Sequence, residues 1–169
     1  GVTTIKTFAF YGCSALKTVE ISSIKNWCNI TFENSYSNPL YYASGLSIGG
    51  ETITSVVIPD GVEVINTYSF YNCIALKSLT LGAGVREINS SAFKSCEALP
   101  SVTIPKSVAT IANDAFGSCT SLAEFAVDAE NETYCAIDKI LYSKDKSTLI
   151  MCPTALAGSV TVATGATTI

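Results

Sequence analysis

The sequence predicts an α/β repeat solenoid, a right-handed coil with a parallel β-sheet on one face and short helices or turns on the other. Three observations carry this: a repeat of 23 residues, an alternation of apolar and polar residues at the same place in each repeat, and strand-ending or helix-capping residues at fixed offsets from it. Val62, Ile65, Phe70, Cys73, Leu76, Leu79 and Leu81 recur as Val85, Ile88, Phe93, Cys96, Leu99, Val102 and Ile104. They recur again as Val108, Ile111, Phe116, Cys119, Leu122, Phe125 and Val127, and the N-terminal segment carries the series as Val2, Ile5, Phe10, Cys13, Leu16, Val19 and Ile21. A fixed period of this length marks stacked units, none of which can bury its apolar face alone.

Each unit reads V-x-x-I-x-x-x-A/S-F-x-x-C-x-x-L-x-x-V-x-I. Its last portion, as in Ser101-Val102-Thr103-Ile104, alternates with the period of two that marks a half-buried strand. Pro59 and Pro105 follow two of these strands and end them, having no N–H to give to a ladder. The V-x-x-I portion is a second short extended or turn segment. Residues 90–96 and 113–119 begin with Ser or Asn, which can cap one or two helical turns. Stacking equivalent strands about 4.8 Å apart then builds one parallel sheet over one continuous core.

The chain is expected to be a single solenoid with regular units at 1–21, 59–81, 82–104 and 105–127, extended units at 22–58 and 128–162, and a partial unit at 163–169. Ile21 to Ile58 is 37 residues and Val127 to Val162 is 35, and the phase resumes after each, so each interval holds one unit with an insertion. Both ends fall inside a repeat, which predicts a fragment of a longer run.

Composition narrows the function. The 169 residues are 48% hydrophobic and 14% charged, enough apolar surface for a substantial core. Net charge is −4 and the ten basic residues are scattered, which argues against nucleic acid or an anionic membrane as partner. No apolar run is long enough to cross a bilayer. Histidine is absent, removing the commonest general base and metal ligand. No G-x-S-x-G elbow marks a serine nucleophile, and Gly82-Ala83-Gly84 is a turn without the G-K-S/T of a phosphate loop. The expectation is a binding protein without catalysis or cofactor.

These units resemble the BspA-like, bacterial-surface class of leucine-rich repeats, whose pattern I-P-x-x-V-x-x-I-x-x-x-A-F-x-x-C-x-x-L is matched by residues 58–76 and 104–122. The extended unit holding Trp27, Cys28 and Ser37 to Ala43, and the one running from Ile137 through Asp145 to Leu149, are similar to long variants of that class. The resemblance covers essentially the whole chain and implies a leucine-rich-repeat coil. It also implies a secreted or surface-attached recognition module binding a host or microbial protein or glycan, as several members are adhesins. The rivals are an architectural spacer that displays another domain and a repeat region of a larger enzyme.

Two surfaces are candidates for binding. The outward strand positions form two columns, Thr18, Ser55, Ser78, Ser101 and Glu124 beside Glu20, Val57, Thr80, Thr103 and Ala126. Such columns line the face that solenoids commonly turn to a partner, although Ser and Thr there also serve simply as solvent-tolerant sheet residues. The aromatic insertion with Trp27, Phe32, Tyr36, Tyr41 and Tyr42 is either an exposed anchor or a local core that orders the insertion. Cys13, Cys73, Cys96 and Cys119 share one column and are expected as reduced packing residues, while Cys135 and Cys152 share one unit and could bridge. Asp128, Glu130, Glu132, Asp138 and Asp145 lack the D-x-D-x-D-G order of a calcium loop. Asn29, Asn89 and Asn131 open N-x-S/T triplets that matter only in a eukaryotic secretory pathway.

Overall fold

A computed structural model describes residues 1–169 and shows a β-solenoid of about five turns. The 23-residue repeat becomes a stacking register. Ser55–Val57 pairs in parallel with Ser78–Thr80, and Ser101–Ile104 with Glu124–Val127, each residue facing the one 23 positions on. On a second side, Val64–Ile65, Glu87–Ile88 and Thr110–Ile111 form a three-stranded parallel ladder with the same offset. Alternation places Val56, Val102, Ile104 and Phe125 inside and leaves Ser55, Thr80 and Thr103 exposed.

The third side was open between helix and turn, and it is made of turns. The single α-helix is Ile24–Cys28, capped by Ser23, whose hydroxyl accepts from Asn26 N at 3.2 Å. In the regular units one position takes left-handed backbone in every coil, Gly12, Asn72, Ser95 and Ser118, and a second does so in three of the four, Phe8, Tyr68 and Ser91. Positive φ interrupts the i to i−4 ladder, so bonds close at three residues, as in Tyr71 N to Tyr68 O and Cys73 N to Phe70 O. The freed amides reach the next coil instead: Phe70 N donates to Ala92 O at 2.7 Å and Phe93 N to Ala115 O at 2.8 Å. Neighbouring coils are thus bonded on all three sides.

The extended unit after Ile21 is itself a coil. Thr31–Phe32 pairs with Thr4–Ile5, and Leu46–Ser47 with Val19–Glu20, at an offset of 27. A hairpin then turns at Gly49–Gly50, both at positive φ, and returns through Glu51–Thr52. Asparagine side chains clamp this coil to the third: Asn66 Nδ2 donates to Cys28 O and Ile30 O, Asn72 Nδ2 to Leu40 O, and Asn38 Nδ2 to Tyr68 O. The later extended unit forms an antiparallel meander of Tyr134–Ile137, Ile140–Ser143 and Leu149–Met151.

One apolar core runs through the stack, from Ile21 and Trp27 to Phe125 and Leu141. All seven cysteines are free thiols, so the contemplated Cys135–Cys152 bridge is not formed. Cys96 and Cys119 donate their Sγ–H groups to Phe70 O at 3.3 Å and Phe93 O at 3.2 Å, which makes the cysteine column a hydrogen-bonded part of the wall. Burial pushes the thiols of Cys28 and Cys73 up to about 12.

Candidate binding surface

The outward columns are in register within two separate ladders, Ser55 to Ser78 with Val57 to Thr80 and Ser101 to Glu124 with Thr103 to Ala126, and not in one sheet; in the first coil Glu20 pairs with Ser47 and not with Val57. Near the first coils Glu20 accepts from Ser47 Oγ at 2.5 Å and from Gly50 N at 3.3 Å, so the hairpin engages its carboxylate while the residue stays exposed. At the far end Glu124 is half-buried and lies 3.7 Å from Lys139 Nζ of the meander, and Ala126 is half-buried as well. The exposed positions are Ser55, Val57, Ser78, Thr80, Ser101 and Thr103, with Thr18 and Glu20 exposed in the first coil. The one large apolar side chain among them is Val57, 59% exposed.

The aromatic insertion divides. Trp27 is 5% exposed and donates Nε1–H to Ser69 O at 2.6 Å, and Phe32 is buried beside it, centroids 5.2 Å apart. Both belong to the core, so of the two readings of the insertion the local core holds for them and Trp27 is not a surface anchor; Phe32 occupies the column of Ile5. Tyr36, Tyr41 and Tyr42 stay half-exposed. Two 3₁₀ turns hold them, one a capping box between Asn34 and Ser37, the other opened by Asn38 before Pro39.

Stacking brings other coils' aromatics to these three. Phe8 and Tyr11 of the first coil are 55% and 65% exposed, and Tyr68 and Tyr71 of the third are half-buried. The rings pack on one another within and across the coils: Tyr11 on Tyr36 at 5.1 Å and nearly perpendicular, Tyr36 on Tyr41 at 4.5 Å and tilted, and Tyr41 on Tyr71 at 6.0 Å with planes 3° apart. Phe8 touches both Tyr11 and Tyr36 at 5.7 Å, and Tyr68 extends the path from Tyr71 at 5.9 Å. The result is a track of seven rings on the turn side of the solenoid. Sequence reasoning missed four of them because they are distant in the chain; the available signal was aromatic residues at repeat positions that hold Ser91, Lys94, Asp114 and Gly117 elsewhere.

Beside the track, Lys6 Nζ donates to Glu33 at 2.7 Å and Thr7 N and Oγ1 donate to its other oxygen, both at 2.8 Å. These bonds, that from Lys6 first, hold the Glu33 carboxyl down to about 2. The acidic residues of the second extended unit do not converge: Glu130 pairs with Lys106, Asp128 accepts from Glu130 N, and Asp145 closes its own turn with Ser143 and Ser147. No group of three metal-ligating side chains gathers anywhere in the chain. Of the three N-x-S/T triplets, Asn131 is fully buried, donating to Pro105 O and Val108 O and accepting from Tyr134 N, so its amide is not open to modification.

The coil, its period and its repeated side-chain columns define a leucine-rich-repeat solenoid. The profile of the BspA type leucine rich repeat region matches residues 1–52 and 48–144 in six copies, and the chain belongs to that family. Comparison with curated protein sequences gives no match. Among solved structures the chain is similar to the pneumococcal vaccine antigen PcpA, at 22% identity and a TM-score of 0.68, over 98% of this chain and 46% of that one. It is also similar to a leucine rich cell surface protein of Faecalibacterium prausnitzii, at 28% identity and 0.56, over 90% of this chain and 44% of that one. A leucine-rich repeat protein of Eubacterium ventriosum matches at 19% identity and 0.53, over 76% and 44%. The chain therefore spans under half the length of these structures.

Proposed function

We propose that residues 1–169 form one right-handed solenoid module at the surface of a microbial cell or secreted from it, and that it works by recognition without catalysis. The hand follows the strong preference of parallel crossover connections. The location is supported by the family and by the cell-surface protein of F. prausnitzii. The observation that carries a binding role is the ring track. Contiguous exposed apolar area on a rigid scaffold marks interaction sites, and Tyr is enriched where partners bind. An architectural spacer needs no such surface.

The sheet strip is the second reading, favoured by its open, in-register Ser and Thr columns. An array of extracellular-matrix proteins and glycans, probed with the wild type, a Phe8→Asn/Tyr11→Ser variant and a Thr80→Glu/Thr103→Glu variant, separates the two. Capture lost only in the first variant supports the track; loss only in the second moves the site to the sheet; no capture supports the spacer.

A further inference from the structure

We infer that the tyrosine cluster is a site of oxidative modification, at which a one-electron oxidant of the haem-peroxidase class joins Tyr36 and Tyr41 as an intramolecular dityrosine. Of the eight tyrosines, Tyr11, Tyr36, Tyr41, Tyr42, Tyr68 and Tyr71 are linked by ring contacts of 6.0 Å or less, and the other two, Tyr134 and Tyr142, are buried. Every tyrosine that solvent reaches therefore lies in one connected set. Other readily oxidised side chains are withdrawn from this surface. Trp27 and Cys28 are buried, and Met151 and Cys152 belong to the last extended unit.

One pair in the set is arranged for coupling. Tyr41 donates its hydroxyl to Tyr36 Oη at 3.4 Å, while the ring centres are 4.5 Å apart. The two rings thus converge at their hydroxyl ends, where the ortho carbons lie. The neighbouring pairs are differently disposed: Tyr41 and Tyr71 are parallel at 6.0 Å, Tyr11 stands at 85° to Tyr36, and Tyr42 turns its hydroxyl to accept from Gly12 N at 2.8 Å. Backbone holds the coupling pair in place. Tyr36 sits in the turn closed by the Asn34–Ser37 capping box, and Tyr41 in the turn opened by Asn38, whose Oδ1 accepts from Leu40 N at 2.8 Å. Ser37, Asn38 and Leu40 between them are wholly buried, so the rings are denied the freedom of an open loop. Two reactants held in this way couple within one molecule in preference to between molecules. Tyr11, 65% exposed and packed on Tyr36, is the point of entry, since a radical formed there passes inward by electron exchange between touching phenols.

The step balances. Each of the two phenols loses one electron and one proton, leaving a radical with spin on its oxygen and ortho carbons. The radicals pair in a Cε–Cε bond, and each ring hydrogen displaced from those carbons returns to a hydroxyl oxygen. One hydrogen peroxide, working through the peroxidase, takes up the two electrons and two protons and becomes two waters. The product is lighter by two hydrogens and closes a covalent loop over residues 36–41, fixing the turn at Asn38-Pro39.

The test treats the whole chain, dilute and with Cys152 blocked by iodoacetamide, with a haem peroxidase and limiting hydrogen peroxide. Dityrosine fluorescence gives the yield, and fragmentation mass spectrometry locates the link. The inference predicts a Tyr36–Tyr41 link whose yield is unchanged on dilution, falls at least about tenfold in Tyr36→Phe and in Tyr41→Phe, and survives in Tyr42→Phe. Urea-unfolded wild type should lose the selectivity. A yield that falls with dilution, through Tyr11 of one molecule coupling to another, overturns the inference. So does a link elsewhere in the cluster, a signal that persists in either of the first two variants, or oxidation that ends on the half-buried Cys13 without dityrosine. Location of the link in the wild type decides the outcome even where a variant fails to fold.

Discussion

Phe93 stacks face to face on Phe70, ring centroids 5.1 Å apart and planes within 3°, and repeats the contact with Phe116 at 5.3 Å. The spacing is that of neighbouring coils, so the repeat places identical rings in one continuous column, wholly buried. Phe93→Ala would remove the middle ring and leave a cavity between two others. The expected loss is about 3 to 5 kcal/mol in urea unfolding, and a loss below about 1 kcal/mol would take Phe93 out of the core.

Gly84 is set by close approach. A Cβ there would collide with the Asp60 carbonyl oxygen of the preceding coil. The turn at 82–84 also takes a bond from Asp60, whose Oδ1 accepts from Ala83 N at 2.9 Å. Gly84→Ala should therefore lower stability by about 1 to 3 kcal/mol, as overpacking does. Thermal unfolding of this single variant checks it, and an unchanged midpoint would mean that the coils can separate here at little cost.

Thiol chemistry follows burial. Cys28, Cys73, Cys96 and Cys119 lie inside the stack, Cys13 and Cys135 are half-buried, and Cys152 is exposed. Since the thiolate is the nucleophile and the reagent must reach it, and burial also raises the thiols of Cys28, Cys73 and Cys96, iodoacetamide at mild alkaline pH should label Cys152 first and leave the four buried residues unlabelled until unfolding. Peptide mass spectrometry reads the order. Early labelling of Cys96 would show that the column opens in the native state.

The Glu33 carboxyl, held down to about 2 by Lys6 and Thr7, gives a pH signature. Its folded pKa lies below its ordinary 4.5, so its contribution to the first two coils is complete above the ordinary value and disappears as pH falls through about 2. The stability difference between wild type and Glu33→Gln should shrink over that window. A difference that is constant with pH would mean that the bonds hold a neutral carboxyl equally well.

The fold was legible because the core is written periodically: every buried Phe, Cys and Leu of the three regular central units lies at a repeat position. The turn side was less legible, since Ser and Asn before an aromatic suit a helix cap and a left-handed turn alike, and inter-coil amide bonds decided between them. The sequence left Trp27 open between anchor and core because its own segment gives no sign that Ser69 of the next coil will meet its indole N–H. The ring track was half visible: Tyr36, Tyr41 and Tyr42 share a segment, while Phe8, Tyr11, Tyr68 and Tyr71 join them only through stacking across coils of unequal length.

Hydroxyl-radical footprinting of the module with its captured ligand tests the binding surface most directly, because it reads side-chain exposure residue by residue. Protection of Phe8, Tyr11, Tyr36 and Tyr71, with Val57 on the sheet strip oxidised as before, is the predicted result. Protection of Val57 with the rings unchanged would contradict the account and place the partner on the sheet.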